Sequence, residues 1–421
     1  MIGQSKRWLL VACCSLILLT ACNRTELTTS DGRIQLNYWV LFGGGDLSYM
    51  QDIVTSFNES QDEIYVNIVL QDFDDYYTKL VTSVAANRGP DVAVSHAAVL
   101  PELVNQGLTV PLNDLSQEVG LDFNDFYENL QEAMQVDGSY HAVPLDSHPF
   151  ILYVNTELAE EAGLLDDDGQ PIIEETPEGF LNFFQEAKEA LPDKTGIAIP
   201  TGGLDVYRWW WTIYFQMGGT PIFSDDLTNP DITLDEEIAV EAADYLLQFF
   251  GDVIPMHMSD PYENFQSGNA FSLMTGVWGT GIWEAAELPF TAVPFPQLFD
   301  VDAAQGGSHT LIMPIHSETT DERQRAKMEF IQYVSDSGLD WAKAGHIPSK
   351  PEIVESQEYQ DMPYRSDYAS ISADVVYTDQ TIYQMSAETD MTRSLDEIMA
   401  GRLTPEEGIQ KMINDLEITI R

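Results

Sequence analysis

Ile34-Gln35-Leu36-Asn37-Tyr38-Trp39-Val40, then Phe42-Gly43-Gly44-Gly45-Asp46, then Met50 to Phe57 decide how this chain is read. The first run mixes alternation with β-prone side chains, which predicts a strand. The glycines break it, and Met50–Phe57 carries apolar residues at helical spacing. A second strand is expected over 64–69 and a helix over 75–86, ended by Asn87-Arg88-Gly89-Pro90. Asp91-Val92-Ala93-Val94 reads as a short buried strand, and 100–105 as a helix. Strands alternating with helices imply βαβ units around a largely parallel sheet, an α/β fold. In such sheets ligands sit beyond the carboxyl ends of strands. That rule points to the turns at Phe42–Asp46, Ser95–His96 and Asp146–His148.

The pattern returns with different lengths. Strands are expected over 140–145 and 150–154, around a break at Asp146-Ser147-His148-Pro149. A helix runs from Pro177 to Leu191 with Thr176 as its N-cap, and two more amphipathic helices cover 232–250 and 322–334. Thr404-Pro405-Glu406-Glu407 opens a final helix, with proline in its first turn and acids at its positive end. Asp166-Asp167-Asp168-Gly169 is read as a hairpin turn. A calcium loop with that glycine in sixth place would begin on Leu164, which cannot ligate.

The 421 residues hold 69 Asp+Glu against 19 Lys+Arg, a formal net charge of −50. The length calls for two lobes rather than one core. The charge excludes nucleic acid and anionic membrane surfaces as partners, because both would be repelled. Acids are spread over every segment, which fits a surface adapted to salt. Self-repulsion of that size is screened at molar salt, where the Debye length is about 3 Å.

At the start, Lys6-Arg7 precedes an apolar run from Trp8 to Leu19, too short to span roughly 30 Å of hydrocarbon. This is an export signal. Leu19-Thr20-Ala21-Cys22 resembles the bacterial lipoprotein lipobox, whose cysteine is lipid-modified and becomes the new N-terminus. The reading gives a signal peptide over 1–21, lipid on Cys22 and a tether over 22–33. An ordinary secretory signal with an incidental Cys22 is the alternative. Of the 3 Cys, Cys13 and Cys14 would leave with the signal, so no thiol remains for catalysis, a disulfide or a metal.

Longer segments carry a resemblance. They are Trp39…Phe42-Gly43-Gly44-Gly45-Asp46, Gly89-Pro90-Asp91-Val92-Ala93-Val94-Ser95-His96, and Leu100-Pro101-Glu102-Leu103 with Pro111-Leu112-Asn113-Asp114. Further on come Tyr140-His141-Ala142-Val143-Pro144-Leu145-Asp146, Leu152-Tyr153-Val154-Asn155, Phe265…Gly276-Val277-Trp278, Gly306-Gly307-Ser308-His309 and Trp341…Gly345-His346-Ile347-Pro348. Together they resemble the extracellular solute-binding proteins of family 1, the maltose-binding-protein-like sugar receptors of ABC importers. The resemblance implies a type II periplasmic-binding-protein fold, two α/β lobes joined by a hinge with a ligand cleft between them. By similarity the chain crosses near Val143–Ser147, returns near Ala292–Pro296 and crosses again near Val334–Gly338. One lobe would then hold 34–145 plus 296–334, the other 146–295 plus 335–421.

A sugar is gripped by flat aromatic rings and by planar side chains that hydrogen-bond its hydroxyls. Tyr207-Arg208-Trp209-Trp210-Trp211 gathers three tryptophans that cannot share one helix face. At least one is expected at the cleft, although core packing is the competing account. Trp278 and Trp283 flank Gly279-Thr280-Gly281, where the family commonly supplies a stacking aromatic; a packed core tryptophan is the alternative. Trp39 ends a strand, with core and cleft equally open. Phe42 and Asp46 lie in the first glycine turn. His96, His148 and His309, with Asp146 and Ser308, fall at cleft-facing turns, where the histidines read as hydrogen-bond partners rather than metal ligands, with a purely structural histidine the alternative for each. His141, His257 and His316 offer no such placement. There is no His-Glu-x-x-His and no His-rich loop, so no metal is expected.

The expectation is a lipid-anchored receptor that captures a mono- or oligosaccharide and delivers it to permease subunits, without cofactor, as a monomer. A carbohydrate-active enzyme is a rival, since carboxylate pairs abound among so many acids. No Gly-x-Ser-x-Gly elbow, P-loop or Rossmann fingerprint is present. The same fold binding a polyamine, glycerol phosphate or peptide is another. Arg208 is the only basic residue near the aromatic run.

Overall fold

The computed structural model describes residues 28–43, 45–199, 203–256, 258 and 260–421. The segment expected to be a signal peptide, Cys22, most of the expected tether and His257 lie outside the described residues. Residues 28–33 form a tight turn rather than a tether: Thr28 bridges Ile34, and the Thr29 amide donates to the Arg33 carbonyl at 2.9 Å.

In the first lobe Ile34–Val40 buries Leu36, Tyr38 and Val40 on one face, the alternation expected of a half-covered strand. The helix Asp46–Ser60 lays Met50, Ile53, Val54 and Phe57 on that face. The sheet runs in the order Ile64–Leu70, Ile34–Val40, Val92–His96, His309–Ile312, Ala142–Pro144. Its first two pairings are parallel and its last two antiparallel. Helix Asp321–Asp336 seals the core with Met328, Phe330, Ile331 and Val334.

The second lobe is organised by one strand, Asp146–Asn155, whose 10 residues are all buried. Residues 150–154 pair with Ala270–Gly276, residues 151–155 with Phe290–Pro294, residues 148–149 with Gly306–Gly307, and residues 146–147 with Ile347–Pro348. The expected break over Asp146–Pro149 is therefore absent. Glycine makes the continuous strand possible, because a Cβ on Gly307 would stand 2.4 Å from His148 Nε2.

Local signals hold well. Thr176 Oγ1 accepts the Gly179 amide at 3.0 Å and caps Pro177–Ala190. Thr404 and Glu407 form a reciprocal capping box on Pro405–Thr419. The Asp166–Gly169 segment is a turn, with Leu165 bridged to Pro171. Among the described residues no helix is long and apolar enough to cross a membrane.

The chain first passes between sheets at Leu145. The return lies at Gly307–His309, not at Ala292–Pro296, because Phe290–Pro294 and Ala304–Gly307 still pair within the second lobe. The boundary at 296 moves accordingly. The third passage also comes later than Val334–Gly338: Trp341 packs in the first core, while Ile347 pairs with Ser147.

Candidate functional site

These three passages meet on one carboxylate. Asp146, 0% exposed, follows the first passage. Its Oδ1 accepts His148 Nδ1–H at 3.0 Å and the His309 amide at 2.8 Å. Its Oδ2 accepts His309 Nδ1–H at 2.8 Å and Trp341 Nε1–H at 2.7 Å. Burial opposes its ionisation, but His309, His346 and the donated hydrogen bonds outweigh that and hold its pKa well below the usual carboxylate range. Burial pushes the pKa of His148 down to about 4, so its ring is neutral at neutral pH. Phe42 packs edge-on against His309 at 5.2 Å and at a tilt against Trp341 at 4.9 Å. Asp46, at the start of its helix, lies 3.5 Å from His346 Nε2.

Beside this knot a cavity of about 330 Å³ opens between the lobes. Phe73, Asp74, Tyr77 and His96 line it from the first lobe, and Arg208, Tyr377, Met385 and Glu388 from the second. His148, Gln305 and Gly306-Gly307-Ser308 form its floor. Tyr77 Oη accepts the His96 amide at 2.9 Å and shares a 2.6 Å hydrogen bond with His96 Nδ1. Burial pushes the pKa of His96 well below its ordinary value, and His309 and His148 add to the effect. Arg208 is ion-paired to Asp205 and lies 5.0 Å over the Trp278 ring. Burial raises the pKa of Glu388 against the pull of Arg208.

Of the residues singled out in the sequence, His96, His148, Arg208 and Ser308 line the cavity. Asp146, His309, Phe42 and Asp46 belong to the knot behind it. Trp278 is half-buried beneath Arg208 and donates to Tyr262 Oη at 3.3 Å. Trp39 is half-buried in its strand and packs at the edge of the first core. Trp283 is a core residue, edge-on to Tyr153 at 4.6 Å.

The tryptophan run is a correction. Tyr207, Trp209, Trp210 and Trp211 are all buried in the second core. Their helix, Leu204–Gln216, packs against helices Glu236–Leu247 and Gln384–Met399 and against strand Ala304–Gly307. The helix meets the cavity only through Leu204 and Arg208 and is otherwise covered, so its tryptophans fill the core instead. Trp209 packs on Phe249, Trp210 stacks on Tyr214, and Trp211 donates to the Val376 carbonyl at 3.2 Å. Sequence reasoning missed Phe73, Tyr77, Tyr377 and Glu388 at the cavity and Trp341 and His346 at the knot. For Trp341 and His346 a signal existed, the Trp341…His346-Ile347-Pro348 segment. For the others there was none beyond an aromatic in a turn or loop (Phe73, Tyr377) or an aromatic or acid on a helix (Tyr77, Glu388).

The family of bacterial extracellular solute-binding proteins matches residues 52–365, and the chain belongs to it. The arabinooligosaccharide-binding protein of Halalkalibacterium halodurans is 24% identical over 360 residues, 79% of this chain and 75% of that one. The GacH receptor of Streptomyces glaucescens, solved unliganded and with acarbose, has a TM-score of 0.77 at 18% identity, covering 92% of this chain and 98% of that one. UgpB from Mycobacterium tuberculosis, solved with glycerophosphocholine, has a TM-score of 0.78 at 18% identity over 92% and 98%. The fold is thus that of the maltose-binding-protein-like receptors.

Proposed function

We propose that the chain is the lipid-anchored, extracytoplasmic binding component of an ABC importer, capturing a mono- or oligosaccharide between its lobes and passing it to the permease. The observation that carries this is the interlobe cavity. It sets Phe73, Tyr77 and Tyr377 rings among the planar polar groups of His96, Arg208, Gln305 and Glu388. That is the combination a sugar's C–H faces and hydroxyls require. Ligand held by one lobe stabilises closure of the other, a population shift with no covalent step. Its relatives' named ligands support the choice of panel: pentose and glucose oligosaccharides. Binding should raise the melting temperature and change tryptophan fluorescence. A broad carbohydrate panel that moves neither would overturn the sugar reading.

A polyamine is the second reading, favoured by Asp74 and Glu388 beside the Tyr77 ring. Spermidine and putrescine in the same assay test it. An anionic solute is less well served, because Arg208 is already paired with Asp205. The lipid on Cys22 predicts a mass increase on the N-terminal peptide that a Cys22→Ser chain lacks. Surface acidity predicts stability that rises with salt, read as a melting temperature climbing from about 0.1 M to about 2 M NaCl.

A further inference from the structure

The cavity leaves one part of the knot unused. His346 is 0% exposed, and neither of its ring nitrogens makes a hydrogen bond. Nδ1 stands 3.5 Å from Asp146 Oδ2, and Nε2 stands 3.5 Å from Asp46 Oδ2. The ring is held flat against Trp341, at 4.8 Å and 1° between planes. The ring is thus flanked by two carboxylates at ion-pair distance but makes no hydrogen bond, an arrangement that is costly to bury unless a further group engages its nitrogens.

We propose that Asp146, His148, His309 and His346 form a site for a divalent transition-metal ion of the zinc class, placed where the three interlobe passages meet. One ligand atom from each of the four lies within 4.8 Å of all the others, and all four residues are buried. Around a tetrahedral ion with bonds of about 2.0–2.2 Å, ligand atoms stand roughly 3.4 Å apart. Asp146 already stands 3.0 Å from His148 Nδ1, 2.8 Å from His309 Nδ1 and 3.5 Å from His346 Nδ1. Three imidazoles and one carboxylate are the donor set such ions take.

Outer groups are in place as well. Trp341 Nε1–H holds Asp146 Oδ2, and Asp46 faces the far nitrogen of His346. A carboxylate behind a ligating histidine fixes its tautomer and orientation. His148 and His309 now donate Nδ1–H to Asp146, and those nitrogens would face an ion once each ring carries its proton on Nε2. The ligands come from the first passage (Asp146, His148), the second (His309) and the third (His346). The ion therefore ties all three strands of the hinge together.

The test uses the full chain, stripped with chelator and free of carbohydrate, so its failure leaves the sugar reading untouched. Titration with Co²⁺ should give the visible absorption of a low-coordinate nitrogen site at one ion per chain, displaced by Zn²⁺. Zn²⁺ should raise the melting temperature and slow amide exchange at 145–149, 306–309 and 345–348. His346→Gln and His309→Gln should weaken binding by more than the roughly 10–100-fold that loss of an outer-shell partner costs. His141→Gln, away from the knot, should bind as wild type. If His346→Gln does not fold, His148→Gln at the cavity floor gives the same reading. A wild-type chain that leaves Co²⁺ with its aqueous spectrum would overturn the site. So would Zn²⁺ stabilising the His346→Gln and wild-type chains equally. Unchanged exchange at the three passages would overturn the tie between them.

Discussion

Two buried regions of this molecule invite opposite readings from their sequences. Trp209-Trp210-Trp211 is conspicuous, contiguous and aromatic, yet it packs inside the core of one lobe. The knot around Asp146 is assembled from residues as far apart as Asp46 and His346, yet it joins both lobes and floors the cavity between them. The difference lies in what each can do without. The tryptophans need only a surrounding of apolar groups, which neighbouring elements supply. The carboxylate needs donors on several sides at once, and only a point where several chain segments meet can provide them.

The comparison breaks first at Trp209. Trp209→Ala should cost about 3–5 kcal/mol in urea unfolding while leaving ligand affinity of the folded protein within about twofold. A large loss of affinity with stability intact would return that helix to the cleft. Asp146→Asn should come next, at about 3 kcal/mol, because it deprives buried N–H donors of their shared acceptor. It should also increase amide exchange at all three passages, which Trp209→Ala should not.

Gly307→Ala sharpens the picture with a smaller effect, about 1–3 kcal/mol, since the added methyl would meet His148 Nε2 at 2.4 Å. Thermal melts of Gly307→Ala and Gly401→Ala, whose added methyl meets nothing, separate crowding from backbone strain. The smallest effect concerns a second buried carboxylate. Asp379 accepts the Ile222 and Phe223 amides, at 2.9 and 3.1 Å, and burial raises its pKa to about 6. A raised carboxylate favours its neutral form in the fold. Its contribution is full below the unfolded value of about 4 and is lost as pH rises through about 6. The gain in melting temperature between about pH 7.5 and pH 5 should therefore shrink in Asp379→Asn. Asp146, held down by charged and polar partners, should contribute nothing across that window.

The sequence shows the α/β character, the capped helices and the first passage clearly, because period and capping are local. It shows only a few of the cavity's residues: His96 and Ser308 sit at strand ends where topology alone points, while His148, expected in a turn, lies within a strand. The Trp run misleads because exposure depends on how many neighbours cover a helix, and spacing along one element does not record that. Phe73, Tyr77 and Glu388 stay hidden for the same reason. The return at Gly307–His309 is missed because strand Ala304–Gly307 is short and glycine-rich, without a β-prone run. Most of the knot's residues stand out one by one, but their convergence escapes, because its histidines never come within metal-motif spacing of one another.

The strand Asp146–Asn155 has one more implication, for the order in which the chain acquires its shape. Its partners are drawn from Ala270–Gly276, Phe290–Pro294, Gly306–Gly307 and Ile347–Pro348, all later in the sequence. No ladder on it can close until that distant chain has been synthesised, and pairings of such long range are slow to form. The second lobe is thus a late arrival, and a nascent polypeptide carrying it stays open and threadable for most of its own synthesis.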